Sequence, residues 1–334
     1  MRLLFFISLV FMFSCSYRIK LPSAGKYSMS DTLIVKLSDK KQKIDSVVLR
    51  TGNKTLLKGK LESLITLPVS DLRPGNGKLE IEVRLKKGKV VKRECDIMVV
   101  SDIIPDEIKL DVIKILPHDT SAFVQGLLYR EGMLYESDGL KGRSRLRIID
   151  AKTGNCLKDE FTDPELFNEG IAFVRDTLYM LTWKDSLLLR FDQDLNLLSQ
   201  VPFRSEGWGL LSHDDCLFLS NGTNEIIKYD PVRNVFSDTL RVADNKGPVY
   251  YLNELEWIEG MIWANIYGKE SIAIIDPVSG KVKGVLNGRN LIDRKKYPEA
   301  GVMNGIALDP ATNMVYLTGK NWPFIKVCRV RFED

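Results

Sequence analysis

The sequence has very little of what several common classes of enzyme require. It contains two histidines, His118 and His213, which lie far apart and belong to no HExxH motif, so a catalytic zinc site has little support. The GxSxG motif of many serine hydrolases and the glycine-rich loop that binds phosphates are both absent. These absences disfavour zinc hydrolases, serine hydrolases and nucleotide-dependent enzymes.

An excess of charge of one sign is missing as well. The chain has 48 basic and 44 acidic residues, a formal net charge of +4 over 334 residues. Proteins that bind nucleic acids usually concentrate lysine and arginine on one face. The scattered charges therefore predict that nucleic acid is not a partner.

Cysteine is scarce, and no two cysteines form a CxxC pair among the five in the chain. Zinc knuckles and thioredoxin-like chemistry are disfavoured as a result. Apart from Cys15, four cysteines remain, and their spacing leaves open whether any disulfide forms. They are Cys95, Cys156, Cys216 and Cys328.

The N-terminus carries an apolar run, residues 3–13, that is too short for the ~20 residues of a permanent membrane span. It follows Met1-Arg2 and fits the hydrophobic region of a signal peptide. Ser14-Cys15-Ser16 comes next and resembles the lipobox of bacterial lipoproteins, although Met12-Phe13 matches that pattern only loosely. We expect residues 1–15 to be a lipoprotein signal peptide and lipobox. Lipidation at Cys15 would make the chain an exported, membrane-anchored lipoprotein on the periplasmic or outer-membrane face.

Residues 17–105 show short alternating strands and no helical period. Strands about ten residues apart predict a small immunoglobulin-like β-sandwich. We find no concentration of catalytic residue types here, so this domain is interpreted as a spacer or docking module. The predicted strands are residues 32–37, 44–50, 61–68, 78–84 and 90–100, with a turn at residues 74–77.

Residues 106–334 repeat one pattern five times, each time an apolar strand, a turn and a second apolar strand. The aligned positions are Gly126, Gly170, Gly209, Glu254 and Gly305. Strand-only units repeating every ~40–50 residues are typical of a β-propeller. The sequence therefore predicts an all-β chain whose second domain is a five-bladed propeller. Residues 109–116 would supply the outer strand of the last blade and close the ring.

Polar and aromatic clusters recur where strands of these units begin or end, and four of the five tryptophans lie within them. A propeller fold does not specify a function, so the chemistry must come from residues collected at one end of the ring. The clusters include Phe123-Val124-Gln125-Gly126, Phe167-Asn168-Glu169-Gly170, Leu181-Thr182-Trp183-Lys184, Gly207-Trp208-Gly209-Leu210, Leu252-Asn253-Glu254-Leu255-Glu256, Trp263-Ala264-Asn265-Ile266-Tyr267 and Thr318-Gly319-Lys320-Asn321-Trp322-Pro323.

These clusters, together with Leu116-Pro117-His118-Asp119, resemble the plant and bacterial type of glutaminyl cyclase, in order, from about residue 110 to residue 330. The resemblance implies a five-bladed propeller that converts N-terminal glutamine to pyroglutamate with release of ammonia. It implies that Glu169 is the catalytic carboxylate. It also implies a substrate pocket formed by Phe123, Gln125, Phe167, Trp183, Trp208, Asn253, Tyr267 and Lys320. Tyr267 departs from the family, which usually has tryptophan at that position.

The chemistry of the reaction fits these residue types. A carboxylate can take the proton of the attacking α-amine and return it to the leaving ammonia. Lys320, Asn253 or Gln125 could stabilise the oxyanion, and the residues do not decide among them. No cofactor is expected for catalysis, and the zinc ligands of animal-type cyclases are missing. A structural divalent cation such as calcium in the central channel stays open.

The expected partners are peptides or proteins with N-terminal glutamine, and the membrane through the lipid anchor; the chain is expected to be a monomer. Two other functions stay open beside cyclisation. One is a peptide-binding propeller without catalytic activity. The other is a calcium-dependent, lactonase-like hydrolase, which would need Asp, Glu and Asn ligands around a catalytic ion.

Overall fold

A computed structural model describes residues 17–41, 43–60 and 63–331. The predicted signal peptide and Cys15 lie outside these residues. Within them the chain forms 28 β-strands and two short 3-10 turns, Val69–Asp71 and Arg289–Leu291. No helix among them has the length and apolar character needed to cross a membrane. The chain divides into two compact units, one up to Val99 and one from Val100 onward.

The first unit consists of two β-sheets with apolar side chains between them. One sheet has the order β1-β3-β6 and the other the order β2-β8-β7-β4-β5. Alternate residues of β3, among them Leu33 and Val35, point into a core that also contains Val47, Ile81 and Val99. The unit is thus a two-layer β-structure, and its immunoglobulin-like character stays a prediction. The strands are β1 (Tyr17–Lys20), β2 (Gly25–Ser28), β3 (Thr32–Asp39), β4 (Ile44–Thr51), β5 (Lys54–Gly59), β6 (Leu64–Pro68), β7 (Gly75–Leu85) and β8 (Val90–Val100).

The turn predicted at residues 74–77 is wrong for its last three residues. Gly75 pairs with Val99 and Gly77 with Ile97, so β7 begins at Gly75 and runs antiparallel to β8 along its whole length. Glycine is compatible with a strand when a long partner strand supplies the hydrogen bonds. The sequence pattern also missed β1, β2 and β5, which are short and largely polar.

The second unit is a five-bladed propeller in which each blade is a four-stranded antiparallel sheet. The first strand of every blade packs against the first strands of its neighbours, so the five inner strands surround the axis. Blade one contains β10 (Val124–Arg130), β11 (Met133–Asp138), β12 (Arg145–Asp150) and β13 (Cys156–Phe161). Blades two and three contain β14 (Asn168–Val174), β15 (Thr177–Thr182), β16 (Leu187–Phe191), β17 (Leu197–Pro202), β18 (Leu210–His213), β19 (Cys216–Ser220), β20 (Glu225–Asp230) and β21 (Val235–Arg241). Blade four contains β22 (Leu252–Ile258), β23 (Met261–Ile266), β24 (Ser271–Ile275) and β25 (Val282–Asn287).

The last blade is completed by a strand from the start of the unit. It consists of β26 (Met303–Asp309), β27 (Met314–Gly319), β28 (Phe324–Arg331) and β9 (Asp106–Pro117). β9 pairs antiparallel with β28, from Lys109 opposite Arg331 to Pro117 opposite Phe324. The predicted ring closure through residues 109–116 is therefore confirmed. β9 also forms a short parallel pairing with β25 of blade four.

Glycine recurs on the inner strands because the blades approach each other very closely there. A Cβ atom added to Gly209 would lie 2.0 Å from the carbonyl oxygen of Asn253, and one added to Gly170 would lie 2.4 Å from the backbone nitrogen of Leu210. No side chain fits at either position. Gly170 and Gly209 thus mark very close contacts between neighbouring blades.

A bulge interrupts the inner strand of four blades near its beginning. The register against the second strand shifts between Val124 and Gly126, Asn168 and Ile171, Leu252 and Leu255, and Met303 and Ile306. A bulge breaks the strict alternation of side chains and changes where they point. The four bulges contain Gln125, Glu169, Asn253 and Asn304, so polar residues occur at the same end of every interrupted strand.

A buried ionic network supports the segment that closes the ring. His118 Nδ1 lies 2.9 Å from the carbonyl oxygen of Trp322, and its Nε2 lies 2.7 Å from Glu136 Oε2. Arg147 donates to the other oxygen of Glu136 at 2.9 Å. Burial acts to lower the pKa of His118, but the Glu136 carboxylate and both hydrogen bonds outweigh it and raise the pKa. Since both ring nitrogens face acceptors, the imidazolium form satisfies the site and links β9 to the loop before β28.

The four cysteines of the described residues are free, so the disulfide left open by the sequence does not form in this structure. Cys328 is fully buried in the core of the last blade, whereas Cys156 is exposed on the outer strand of blade one.

Candidate active site

The nine residues predicted for the site converge on one pocket at the end of the propeller where the bulges lie. The cavity has a volume of about 260 Å³. Residues from all five blades contribute to it. They are Phe123, Gln125, Phe167, Glu169, Trp183, Trp208, Asn253, Tyr267 and Lys320, together with Leu140, which the sequence did not predict.

Glu169 is one of the buried members of this set and lies in the bulge at the start of β14. Only 4% of the surface of Glu169 is exposed to solvent. Burial raises the pKa of its carboxyl well above the usual range, Lys320 offsets part of that rise, and the nearby Glu206 carboxylate adds to it. The Glu169 carboxyl therefore holds its proton to a higher pH than an ordinary glutamate, which suits a group that must both accept and donate a proton.

Gln125 is held between two other polar side chains. Its Nε2 donates to Glu169 Oε1 at 3.3 Å, and its Oε1 accepts from Nδ2 of Asn304 at 3.3 Å. Asn304 also donates to the carbonyl oxygen of Val124 at 3.0 Å. Asn304 thus fixes the orientation of the Gln125 amide, and the amide directs its donor toward the Glu169 carboxyl.

Aromatic rings form the walls around Glu169. Phe123 and Phe167 meet edge to face with ring centres 6.4 Å apart, and Phe167 lies 5.4 Å from Trp183. On another side, Trp208 and Tyr267 meet edge to face at 5.6 Å. Such walls exclude water and fit an aliphatic side chain.

Two glycines leave the space that these rings occupy. A Cβ atom added to Gly139 would lie 2.4 Å from the ring of Phe167. One added to Gly222, which has a φ of +78°, would lie 2.7 Å from the indole of Trp208. The wall on each side therefore depends on a residue without a side chain.

Lys320 places a buried ammonium group beside the aromatic walls. Its Nζ lies 4.4 Å from the ring centre of Phe123 and 5.3 Å from that of Tyr267, both favourable cation–π distances. Burial lowers the pKa of Lys320 to about 8, although the Glu169 carboxylate limits the fall. The pocket thus contains a carboxyl whose pKa is raised and an ammonium group whose pKa is lowered.

The backbone of Lys320 is fixed on both sides. Its N–H donates to the carbonyl oxygen of Val302 at 3.0 Å, and its own carbonyl accepts from the Gly301 N–H at 2.6 Å. The next residue, Asn321, donates its backbone N–H to Ala122 at 2.6 Å. These bonds join the Lys320 loop to the segment that carries Phe123.

Asn253 offers an acceptor with no partner. Its Oδ1, in the orientation assigned to the amide, is buried and makes no hydrogen bond. The backbone carbonyl of Asn253 accepts from the Ser220 hydroxyl at 2.7 Å, which fixes the bulge. An unpaired buried acceptor is costly unless a ligand supplies a donor.

Sequence reasoning missed three residues of the site. Leu140 lines the pocket with a φ of +87°, Asn304 orients Gln125, and Glu206 accepts the indole N–H of Trp208 at 3.3 Å. Asn304 had one signal, because it precedes Gly305 as Asn253 precedes Glu254 in the repeat. Leu140 lies in a segment, residues 139–144, that also resembles the glutaminyl cyclases but was not assigned to the pocket, whereas nothing in the sequence distinguished Glu206 from ordinary loop residues.

No three His, Cys, Asp or Glu side chains come together to hold a metal ion anywhere in the part of the chain that the structure describes. The structural calcium that the sequence left open therefore stays a prediction.

Comparisons with known proteins agree with one another. The sequence model of the glutamine cyclotransferase family matches residues 89–332. The chain is 36% identical to the glutaminyl-peptide cyclotransferase of Arabidopsis thaliana over 224 residues, 64% of this chain and 69% of that protein. It is also similar to the crystal structure of a glutaminyl cyclase from Myxococcus xanthus, with a TM-score of 0.62 and 30% identity over 69% of this chain and 100% of that one.

Proposed function

The chain belongs to the glutamine cyclotransferase family, and we propose that its pocket cyclises the N-terminal glutamine of peptides with Glu169 as general base and acid. The α-amine forms a bond to the side-chain carboxamide carbon, the bond from that carbon to nitrogen breaks, and pyroglutamate and ammonia result. The observation that carries this assignment is a buried carboxyl, bonded to Gln125, inside an aromatic pocket.

Glu169 moves one proton in each half of the reaction. As a carboxylate it accepts a proton from the attacking amine, and as a carboxylic acid it returns that proton to the departing nitrogen. Its raised pKa makes the carboxylate a stronger base toward the amine than an ordinary glutamate. The Gln125 amide, fixed by Asn304, keeps one carboxyl oxygen in place during the exchange.

Lys320 is the side chain that we assign to the oxyanion of the tetrahedral intermediate. Gln125 already donates an amide hydrogen to Glu169, and the unpaired side-chain atom of Asn253 is Oδ1, which is an acceptor. The ammonium group of Lys320 lies in the same pocket and has N–H donors that are still available. Its attraction to the substrate oxygen grows as negative charge develops on that oxygen. Asn253 Oδ1 would accept a hydrogen bond from the substrate's carboxamide N–H.

The aromatic walls supply the remaining contribution. Ring closure requires the glutamine side chain to fold back on its own α-amine, and an enclosed pocket holds that conformation at little further entropic cost. Trp183, Trp208 and Tyr267 lie where such a wall is needed. The tyrosine at 267 is smaller than the usual tryptophan and adds a hydroxyl, without removing the ring.

The function is tested with a short peptide that begins with glutamine. We expect the protein to release ammonia and convert the peptide to its pyroglutamyl form, followed by mass spectrometry. A matched peptide that begins with asparagine should stay intact, since the same attack would have to close a strained four-membered ring. Conversion of neither peptide by the folded protein, at several pH values, would contradict the proposal and favour a binding propeller.

A chelator is added to the same assay in parallel. Because Glu169 and Lys320 supply the proton transfer and the positive charge, we propose that catalysis needs no metal and expect the rate to stay within about twofold. A rate that collapses on chelation and returns with calcium would instead favour the lactonase-like alternative. A lower melting temperature with an unchanged rate would reveal the structural calcium.

We also propose that the chain is exported and held at the membrane by a lipid on Cys15. The support is the apolar run at residues 3–13 followed by Ser14-Cys15-Ser16. We expect the full chain expressed in a bacterium to partition with membranes, and Cys15→Ser to leave it in the soluble fraction or unprocessed. Because an unprocessed precursor would keep its apolar run in the membrane, the N-terminal peptide of each protein is also analysed by mass spectrometry. A wild-type chain without an acylated N-terminal Cys15 would contradict lipidation, with Cys95→Ser as the matched control.

A further inference from the structure

The backbone segment that is hydrogen-bonded to Gly222 and to the pocket residue Tyr267 carries an exposed tyrosine that takes no part in the proposed mechanism. Tyr251 lies in the connection before β22, two residues ahead of Asn253, and it is 57% exposed. Single exposed apolar residues are common and need no explanation. Two features set Tyr251 apart from such residues.

The first feature is its backbone conformation. Tyr251 has a φ of +64°, in the left-handed region that bulky residues rarely adopt. Among the described residues only three large apolar or aromatic side chains have such a φ: Leu140, Leu195 and Tyr251. Leu140 lines the pocket, and Leu195 lies in a turn between outer strands. Backbone strain of this kind is concentrated at functional sites.

The second feature is the way in which both sides of Tyr251 are tied to the pocket wall. Its N–H donates to the carbonyl oxygen of Gly222 at 2.9 Å, and its own carbonyl accepts from the Tyr267 N–H at 2.8 Å. Gly222 lies directly against the Trp208 indole. The backbone of Tyr251 therefore spans the two residues, Trp208 and Tyr267, whose rings form this wall.

We propose that Tyr251 forms a second subsite that binds the residue after the cyclising glutamine and favours an aromatic side chain there. The inference rests on the proposed function, because a peptide whose glutamine fills the pocket must leave it over the rim. A tyrosine ring held in a fixed backbone offers a stacking surface at low conformational cost. The neighbouring pocket wall is formed by the paired rings of Trp208 and Tyr267, and an aromatic residue suits such surroundings better than a charged one.

The experiment compares three substrates: glutamine amide, a peptide beginning Gln-Phe and a peptide beginning Gln-Gly. We expect the wild type to have a higher kcat/KM for the Gln-Phe peptide than for Gln-Gly. Tyr251→Asn removes the ring but tolerates a left-handed φ. It should lower kcat/KM for the Gln-Phe peptide about tenfold, mainly through KM, as expected for one lost aromatic contact, and should leave glutamine amide unchanged. Tyr251→Phe, which keeps the ring, should retain the preference.

Phe161→Asn serves as the matched control, because Phe161 is an exposed aromatic residue on the outer strand of blade one. It should change none of the three rates. An unchanged preference for Gln-Phe in Tyr251→Asn would overturn the subsite, as would an equal loss on all three substrates, which would mean that Tyr251 only supports the backbone of Asn253. Failure of the wild type to cyclise even glutamine amide would overturn the proposed function and the subsite with it.

Discussion

Glu169→Gln is expected to reduce kcat by about 10³-fold or more, the upper part of the range for loss of a general acid and base. Glutamine keeps the shape of the side chain and an oxygen for Gln125, but it cannot accept the proton of the amine at the pH of the assay. The substrate should still enter the pocket, because the aromatic walls are unchanged. We therefore expect KM to change little. Steady-state kinetics with a glutaminyl peptide measures both constants.

The control for this variant is Glu165→Gln. Glu165 is an exposed carboxylate in the connection that leads into β14, four residues before Glu169, so its replacement changes the net charge equally without touching the pocket. It should keep the wild-type rate. A Glu169→Gln protein that melts as the wild type does and retains more than a tenth of its kcat would show that another group transfers the proton.

Lys320→Met is expected to lower kcat by about 10²–10³-fold, the usual effect of removing one oxyanion donor. Methionine fills nearly the same volume between Phe123 and Tyr267 but has neither charge nor donor. The change also removes the positive charge that favours the ionised form of Glu169 and lowers its pKa. The pKa of Glu169 should therefore rise further, and the acidic side of the pH–rate profile should move to higher pH.

The alkaline side of the profile gives a second readout. In the wild type the rate should fall as the pH rises through about 8, where Lys320 loses its proton. That fall should disappear in Lys320→Met. The substrate's α-amine also titrates at about pH 8, but it does so equally with both proteins, so the difference between the two profiles isolates the lysine.

Lys320→Arg keeps a positive charge and should therefore retain part of the activity. Its rate should fall only at a higher pH than that of the wild type. If Lys320 were only a packing residue, Lys320→Met would lower the melting temperature and leave both sides of the profile in place. That outcome would contradict the oxyanion role and direct attention to Asn253.

Much of the architecture could be predicted from local patterns. A strand shows itself by apolar residues at a spacing of two, and a propeller by the return of that pattern every ~40–50 residues. The five blades, the ring closure through β9, the family and the reaction are confirmed. Strands such as β2 and β5 were missed because their few polar residues carry no alternation of their own and are held by longer neighbours.

The candidate site likewise contains residues that the sequence predicted and residues that it missed. The sequence predicted nine pocket residues through their clusters and the family resemblance, and the structure brings all nine to one cavity. It did not predict Leu140, which comes from a loop, or Asn304, which orients Gln125 from 179 residues away along the chain. Their roles depend on contacts between segments that are distant in the chain, and a repeating sequence pattern does not reveal such contacts.

The sequence by itself thus determined the fold class, the number of blades and the residue types available for catalysis. Only the tertiary structure decided where those side chains point. The inner strands carry bulges at Gln125, Glu169 and Asn253, and each bulge shifts the side-chain alternation that the sequence alone would predict. A bulge leaves backbone groups unpaired within its own sheet, and in blade two the Gly170 N–H donates instead to the carbonyl oxygen of Trp208, just before the inner strand of blade three, at 2.7 Å. Such a contact depends on the neighbouring blade, which no local sequence pattern specifies.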